Sequence, residues 1–112
     1  ADVLVIKPML AGGLRRGRAI VELAHAAGLR AIVTTTIDSG VGIAAALHLA
    51  ATLPAPPLAC GLATRSLLGA DLVSGLPPVV AGSLHLPDGP GLGVMLSEAG
   101  CGGAAASVRF GR

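Results

Sequence analysis

The sequence predicts an α/β chain in which parallel strands alternate with crossover helices, and three observations predict it. First, the apolar runs Val3–Ile6, Ala31–Ile37 and Leu58–Leu62 are each followed by glycine or a polar cap and then by a helical stretch. Unalternated runs of this kind suit strands buried on both faces. Second, the runs start near Ala1, Ala31 and Leu58, about thirty residues apart or slightly less, the length of one strand–helix–strand unit. Third, polar residues collect where the runs end: Lys7 after the first, Thr34 to Ser39 around the end of the second, Thr64 after the third. In open α/β sheets and in eight-stranded barrels alike, that end of the strands binds ligands.

The first run ends in a lysine, Lys7, followed by Pro8 and the pair Gly12-Gly13. An ammonium is costly inside a closed core, so the sequence places it at the rim, where chain, ligand and water meet. Residues 14–27 then read as an amphipathic helix. Ile20, Leu23, Ala24 and Ala27 recur at helical spacing, with Arg15, Arg18, Glu22 and His25 on the other side. Gly28 supplies the left-handed residue that ends it. Arg15, Arg16 and Arg18 beside a glycine turn suggest a phosphate site, but their spacing matches neither the P-loop nor the dinucleotide fingerprint. A solvated helix face is the better reading.

The second run ends in Thr34-Thr35-Thr36, then Ile37 and Asp38-Ser39-Gly40. Alternation puts Thr34, Thr36 and Asp38 on one side. Two readings stand level: Asp38 or Ser39 as N-cap of the next helix, or a polar pocket wall. The helix 41–53 is apolar nearly all round and needs more cover than a small sheet provides. His48 within it reads as a hydrogen-bonded, partly buried residue rather than a ligand. Pro54, Pro56 and Pro57 stiffen the approach to the third run, and Thr64 caps a short helix over 65–73 in which Asp71 faces solvent or pairs locally. Pro77-Pro78 opens an extended segment, 79–86, closed by the turn Pro87-Asp88-Gly89-Pro90. The sequence divides into barrel-type units over 1–76, an extended segment over 77–95 and a Gly/Ala-rich, disordered tail over 96–112.

Composition narrows the classes. The chain has 112 residues, is 53% hydrophobic, and carries one Phe with no Trp or Tyr, so its core volume comes from Ala, Val, Leu and Ile. A net charge of +2, scattered along the chain, argues for no nucleic-acid partner. The most apolar segment, 41–53, is too short for a membrane span, no basic leader precedes the first run, and the expected location is the cytoplasm. Cys60 reads as a buried, reduced thiol. A barrel of eight units needs roughly 250 residues. This chain supplies about three units, which makes it the C-terminal portion of a larger enzyme or a subunit that borrows the rest.

On these residues the sequence resembles the enolase superfamily. The features that carry the resemblance are Lys7-Pro8 with Gly12-Gly13, the threonine run before Asp38-Ser39-Gly40, and Gly61-Leu62-Ala63-Thr64 ahead of Asp71-Leu72. The segment Pro90-Gly91-Leu92-Gly93 is also similar, and the likeness covers residues 1–95. It implies the C-terminal segment of a (β/α)8 TIM-type barrel, with residues 1–7 as its sixth strand. Within the superfamily the sequence is most similar to the o-succinylbenzoate synthases of menaquinone biosynthesis. Those enzymes dehydrate 2-succinyl-6-hydroxy-2,4-cyclohexadiene-1-carboxylate through a Mg2+-stabilised enediolate. Muconate-type cycloisomerases and N-acylamino acid or dipeptide racemases are the near alternatives.

The resemblance implies that Lys7 is catalytic, facing the enediolate from the side opposite a second-strand lysine that removes the proton. It implies that Thr34, Ile37, Asp38 and Gly61 line the pocket for the succinyl arm. Asp38 stands where the family usually has Glu. Ala63 stands where many members have Asp or Gly, which weakens the case for a dipeptide epimerase. The Mg2+ ligands and the proton-abstracting lysine are expected on strands outside this chain. The partners implied are a small-molecule carboxylate substrate and the remainder of the barrel. A reading of another class is a non-catalytic α/β fragment or interaction module.

Overall fold

The computed structural model of the chain describes residues 1–101. Strands β1 (Val3–Ile6) and β2 (Arg30–Val33) pair in parallel, from Val3 opposite Arg30 to Ile6 opposite Val33. The third run joins the other edge of β2 at one point, a parallel bridge between Thr34 and Gly61. Gly61 N–H donates to the Val33 carbonyl at 3.0 Å and Thr35 N–H to the Gly61 carbonyl at 3.0 Å. The expected strand over 58–62 is therefore a single contact. Val33 N–H donates to the sulfur of Cys60, 3.4 Å away, where a longer ladder would offer a carbonyl. Cys60 is half-buried and free, rather than fully buried.

After β1 the chain makes a short helix, α1 (Pro8–Ala11), where the sequence suggests only a turn into the next helix. Proline at a first helical position is favoured, its missing N–H being one that would lack a partner anyway. Gly12 (φ 90) ends α1 and Gly13 (φ 99) opens α2 (Leu14–Ala26), two consecutive left-handed residues that only glycine adopts without strain. On the outer face of α2, Arg18 Nε meets Glu22 at 2.9 Å, both side chains exposed. Such a pair adds a few tenths of a kcal/mol at most.

Helix α3 (Gly40–Ala50) follows β2 and stops three residues short of the expected Leu53. Thr52 Oγ1 donates to the Leu49 carbonyl at 2.8 Å there, just ahead of Pro54. His48 Nδ1 lies 2.8 Å from the Ala44 carbonyl of its own helix, so it is a satisfied side chain. The core lies between the sheet and the helices: Ile6, Val33 and Leu62 meet Val21 of α2 with Ala46, Leu47 and Leu49 of α3. The other side of α3, Ile43 and Ala44, is covered by Leu76, Leu84, Leu92 and Val94. The C-terminal segment thus supplies cover that the apolar helix requires.

The helix expected over 65–73 shrinks to a 3-10 turn, Arg65–Leu67. Beyond it Val73–Ser74 (β3) pairs antiparallel with Met95–Leu96 (β4). The expected extended run 79–86 is broken by a tight turn, with Val80 and Ser83 bonded in both directions across Ala81 (φ 48) and Gly82 (φ 76). Glu98–Cys101 forms one helical turn, α4, where the sequence suggests a structureless tail. The rest of that tail, 102–112, lies outside the described residues. No helix among the described residues is long and apolar enough to cross a membrane.

Candidate functional site

Alternation along β1 sends Leu4 and Ile6 toward the helices and Val3, Val5 and Lys7 to the opposite face. Ile6 is 3% exposed and Val5 58%, so this second face of the sheet is uncovered. The Thr34 N–H donates to the Ile6 carbonyl at 2.9 Å, and continuing the register by one residue sets Lys7 opposite Thr34. Thr34 in turn bridges Gly61. Lys7, Thr34 and Gly61 therefore form one row across three strand ends, on the face away from the helices.

Lys7 is half-buried, and its Nζ donates to the Thr35 carbonyl at 3.1 Å. That bond ties the ammonium to the end of β2 and uses one of its three donors. Thr34 Oγ1 is buried and has no hydrogen-bond partner among the described residues. Buried hydroxyls are seldom left so in folded chains. A side chain at Gly61 would place its Cβ 3.0 Å from Thr34 Cγ2, so glycine there lets the two strands close without pushing the threonine aside.

Beyond the row the chain turns into α3. Asp38 is buried and accepts from the Thr36 hydroxyl, while Ile37 is 65% exposed at the same end of the sheet. Neither Asp38 nor Ser39 caps α3 with its side chain. The Gly40 N–H is taken by Asp71 Oδ1 at 2.8 Å, from a segment that follows the third run. The N-cap reading of Asp38 and Ser39 is thereby corrected: the capping group arrives from 31 residues away.

Two residues contribute beyond their expected roles: Thr35, for which none is expected, and Asp71, expected to face solvent or pair locally, which pairs with Arg65 and also holds the Gly40 N–H. Thr35, 4% exposed, faces the helix side, where its Oγ1 meets Thr64 Oγ1 at 2.9 Å and the Gly61 carbonyl at 3.3 Å. The period-two alternation that singled out Thr34 and Thr36 held the signal for it, since the middle threonine must face inward. Asp71 is the second, and no spacing rule links it to Gly40. Burial pushes the Asp71 carboxyl up, but N–H donors from Gly40, Leu72 and Val73 and the Arg65 guanidinium outweigh it and leave its pKa below the ordinary carboxylate value. A carboxylate depressed on folding stabilises fully above its unfolded pKa, and that contribution fades as pH falls through the folded value. In a folded protein carrying this chain, the stability lost on Asp71→Asn should be constant above about pH 5 and shrink below about pH 4. Urea unfolding at stepped pH measures it, and a loss that stays level to low pH would deny the ionised form any part.

Among the described residues no three of His, Cys, Asp and Glu lie close enough to hold a metal ion. Asp38 stands alone at the strand ends, with one oxygen engaged by Thr36. Magnesium needs several oxygen ligands in near-octahedral array, so these residues do not make a magnesium site. Two cavities among the described residues lie elsewhere. One is lined by Val21, His25, Arg30 and the prolines 54–57, at the start of β2; the other lies between Ile43, Leu62, Arg65 and Leu76.

The family described as Enolase C-terminal domain-like matches residues 1–100. The chain is 47% identical over 72 residues to the o-succinylbenzoate synthase of Thermobifida fusca, covering 64% of this chain and 22% of that enzyme. It is 35% identical over 97 residues to muconate cycloisomerase 1 of Rhodococcus opacus, covering 87% and 26%. Among solved structures, a mandelate racemase/muconate lactonizing enzyme-type protein from Aspergillus oryzae superposes with TM-score 0.84 at 35% identity, over 95% of this chain and 29% of that one. A dipeptide epimerase from Methylococcus capsulatus, solved with a Mg ion, gives 0.78 at 32%, over 87% and 28%. The chain spans about a quarter of the length of the curated relatives it matches.

Proposed function

The chain belongs to the enolase C-terminal domain-like family, and on that premise we propose that it is the C-terminal part of a TIM-type barrel of o-succinylbenzoate synthase, acting in the cytoplasm in menaquinone biosynthesis. The observation that carries the reading is the row Lys7, Thr34 and Gly61, on the sheet face that no described helix covers, with a threonine hydroxyl in its middle that has no partner among the described residues. In a closed barrel that face becomes the interior and the row lies at its ligand-binding end.

The residues act as follows. Lys7, held by the Thr35 carbonyl, presents positive charge toward the carboxylate end of the substrate as an enediolate develops. A preorganised cation is worth most where charge appears only in the transition state. Thr34 offers its free hydroxyl, Ile37 an apolar surface and Gly61 close backbone approach to the succinyl arm. Asp38 closes the wall. The base that removes the proton and the residues that hold Mg2+ belong to strands this chain does not contain, so magnesium supports no step assigned here.

A second reading is a muconate-type cycloisomerase, favoured by the longer stretch of chain that aligns with those enzymes. The deciding experiment fuses the full chain to the Thermobifida fusca enzyme in place of its matching segment. The expected result is magnesium-dependent dehydration of the cyclohexadiene carboxylate by a protein of normal helicity. A folded fusion that instead lactonises muconate would favour the second reading, and a folded fusion with neither activity would leave the non-catalytic module.

A further inference from the structure

We propose that Arg65 and Asp71 are positioning residues for the pocket wall at Thr36–Asp38, acting through the first turn of α3; the substrate part of this inference rests on the function proposed above. Asp71 Oδ1 accepts from Gly40 N–H at 2.8 Å and from Leu72 N–H at 2.7 Å. Its Oδ2 lies 2.9 Å from Arg65 Nε, and Arg65 Nη1 donates to the Leu76 carbonyl at 3.3 Å. The Asp71 side chain is 10% exposed and that of Arg65 43%, so the carboxylate is the shielded end of the clamp. Charge-assisted bonds in such surroundings are roughly twice as strong as neutral ones.

The same helical turn carries the clamp and the wall. A Cβ on Gly40 would strike Val73 Cγ2 and come within 2.8 Å of Asp71 Oδ2, while a Cβ on Gly42 would come within 2.8 Å of the Cβ of Asp38. One glycine thus seats the turn on the Asp71 segment, and the other seats Asp38 on the turn. Past the Thr35 carbonyl, which Lys7 Nζ holds at 3.1 Å, the hydrogen bonds among the described residues ahead of α3 offer only the internal link from Thr36 to Asp38. Among the described residues no hydrogen bond from the sheet holds that loop beyond Thr35. Its outer end is fixed where α3 begins, and Asp71 fixes where α3 begins.

The test uses the fusion carrying the full chain, unsubstituted and with Asp71→Asn, Asp71→Ala and Arg65→Lys. Amide hydrogen exchange over 36–42 should quicken by about tenfold in Asp71→Ala and less in the other two. Exchange in β1 and β2 should stay as it was. With the cyclohexadiene carboxylate as substrate, KM should rise several-fold while kcat changes little, the pattern for lost ground-state binding. Unaltered exchange over 36–42, an equal rise across β1 and β2, or a quickened loop with unchanged KM would each overturn the proposal. An unsubstituted fusion without turnover would count against the dehydratase reading instead, and the exchange pattern would still decide whether the clamp holds the loop.

Discussion

Replacing Lys7 by Ala in the fused barrel should lower turnover on the order of 10²-fold or more, the range seen when a preorganised electrostatic partner is removed. Among the described residues the lysine makes one hydrogen bond, to the Thr35 carbonyl, and sits on the sheet face that the described helices do not cover. Removing it takes no volume from the cluster around Ile6 and Val33, so the fold should survive. The thermal midpoint and helicity of Lys7→Ala should therefore match the parent while kcat falls. Lys7→Arg should also fail. A planar guanidinium with fixed donors does not occupy the place of a compact ammonium, and it would have to reach the Thr35 carbonyl from a longer stem. Near-parental turnover in Lys7→Ala would remove Lys7 from the site.

The second large effect concerns the chain by itself, which we expect to be inert. Its parallel sheet presents free edges on β1 and on the far side of Gly61, and strand edges of this kind invite association. Val5 at 58% and Ile37 at 65% exposure lie on or beside the uncovered face, and Met9 and Leu10 are exposed on α1 next to it. The apolar helix α3 is not part of this liability, because residues 76–94 of the same chain cover it. Purified residues 1–112 should self-associate in size-exclusion chromatography, bind no magnesium by calorimetry and show no dehydratase turnover. The fusion should run as a defined species and recover both properties. Magnesium-dependent turnover from the chain alone would overturn the reading of it as part of a barrel.

Much of this molecule is determined by local sequence. The helix Leu14–Ala26 follows from its amphipathic spacing and the glycines that bracket it, and the parallel pair Val3–Ile6 and Arg30–Val33 follows from apolar runs one unit apart. The position of Lys7 at a strand end was equally legible, since a charge that ends an apolar run has nowhere else to go. What the sequence left open, tertiary contacts settled. The cap reading of Asp38 fell to Asp71, 31 residues beyond Gly40, whose carboxylate accepts the Gly40 N–H. The third run, apolar enough for a strand, pairs with β2 at Gly61 alone among the described residues, and the Val33 N–H that a longer ladder would use goes to the Cys60 sulfur. The helix expected over 65–73 gave way to a 3-10 turn and to pairing between Val73–Ser74 and Met95–Leu96, a partnership across more than twenty residues that no local propensity contains. Periodicity and glycine placement act through neighbours in the chain and fix elements. Caps, ladder partners and buried carboxylates depend on which distant groups arrive, and only the folded chain decides that.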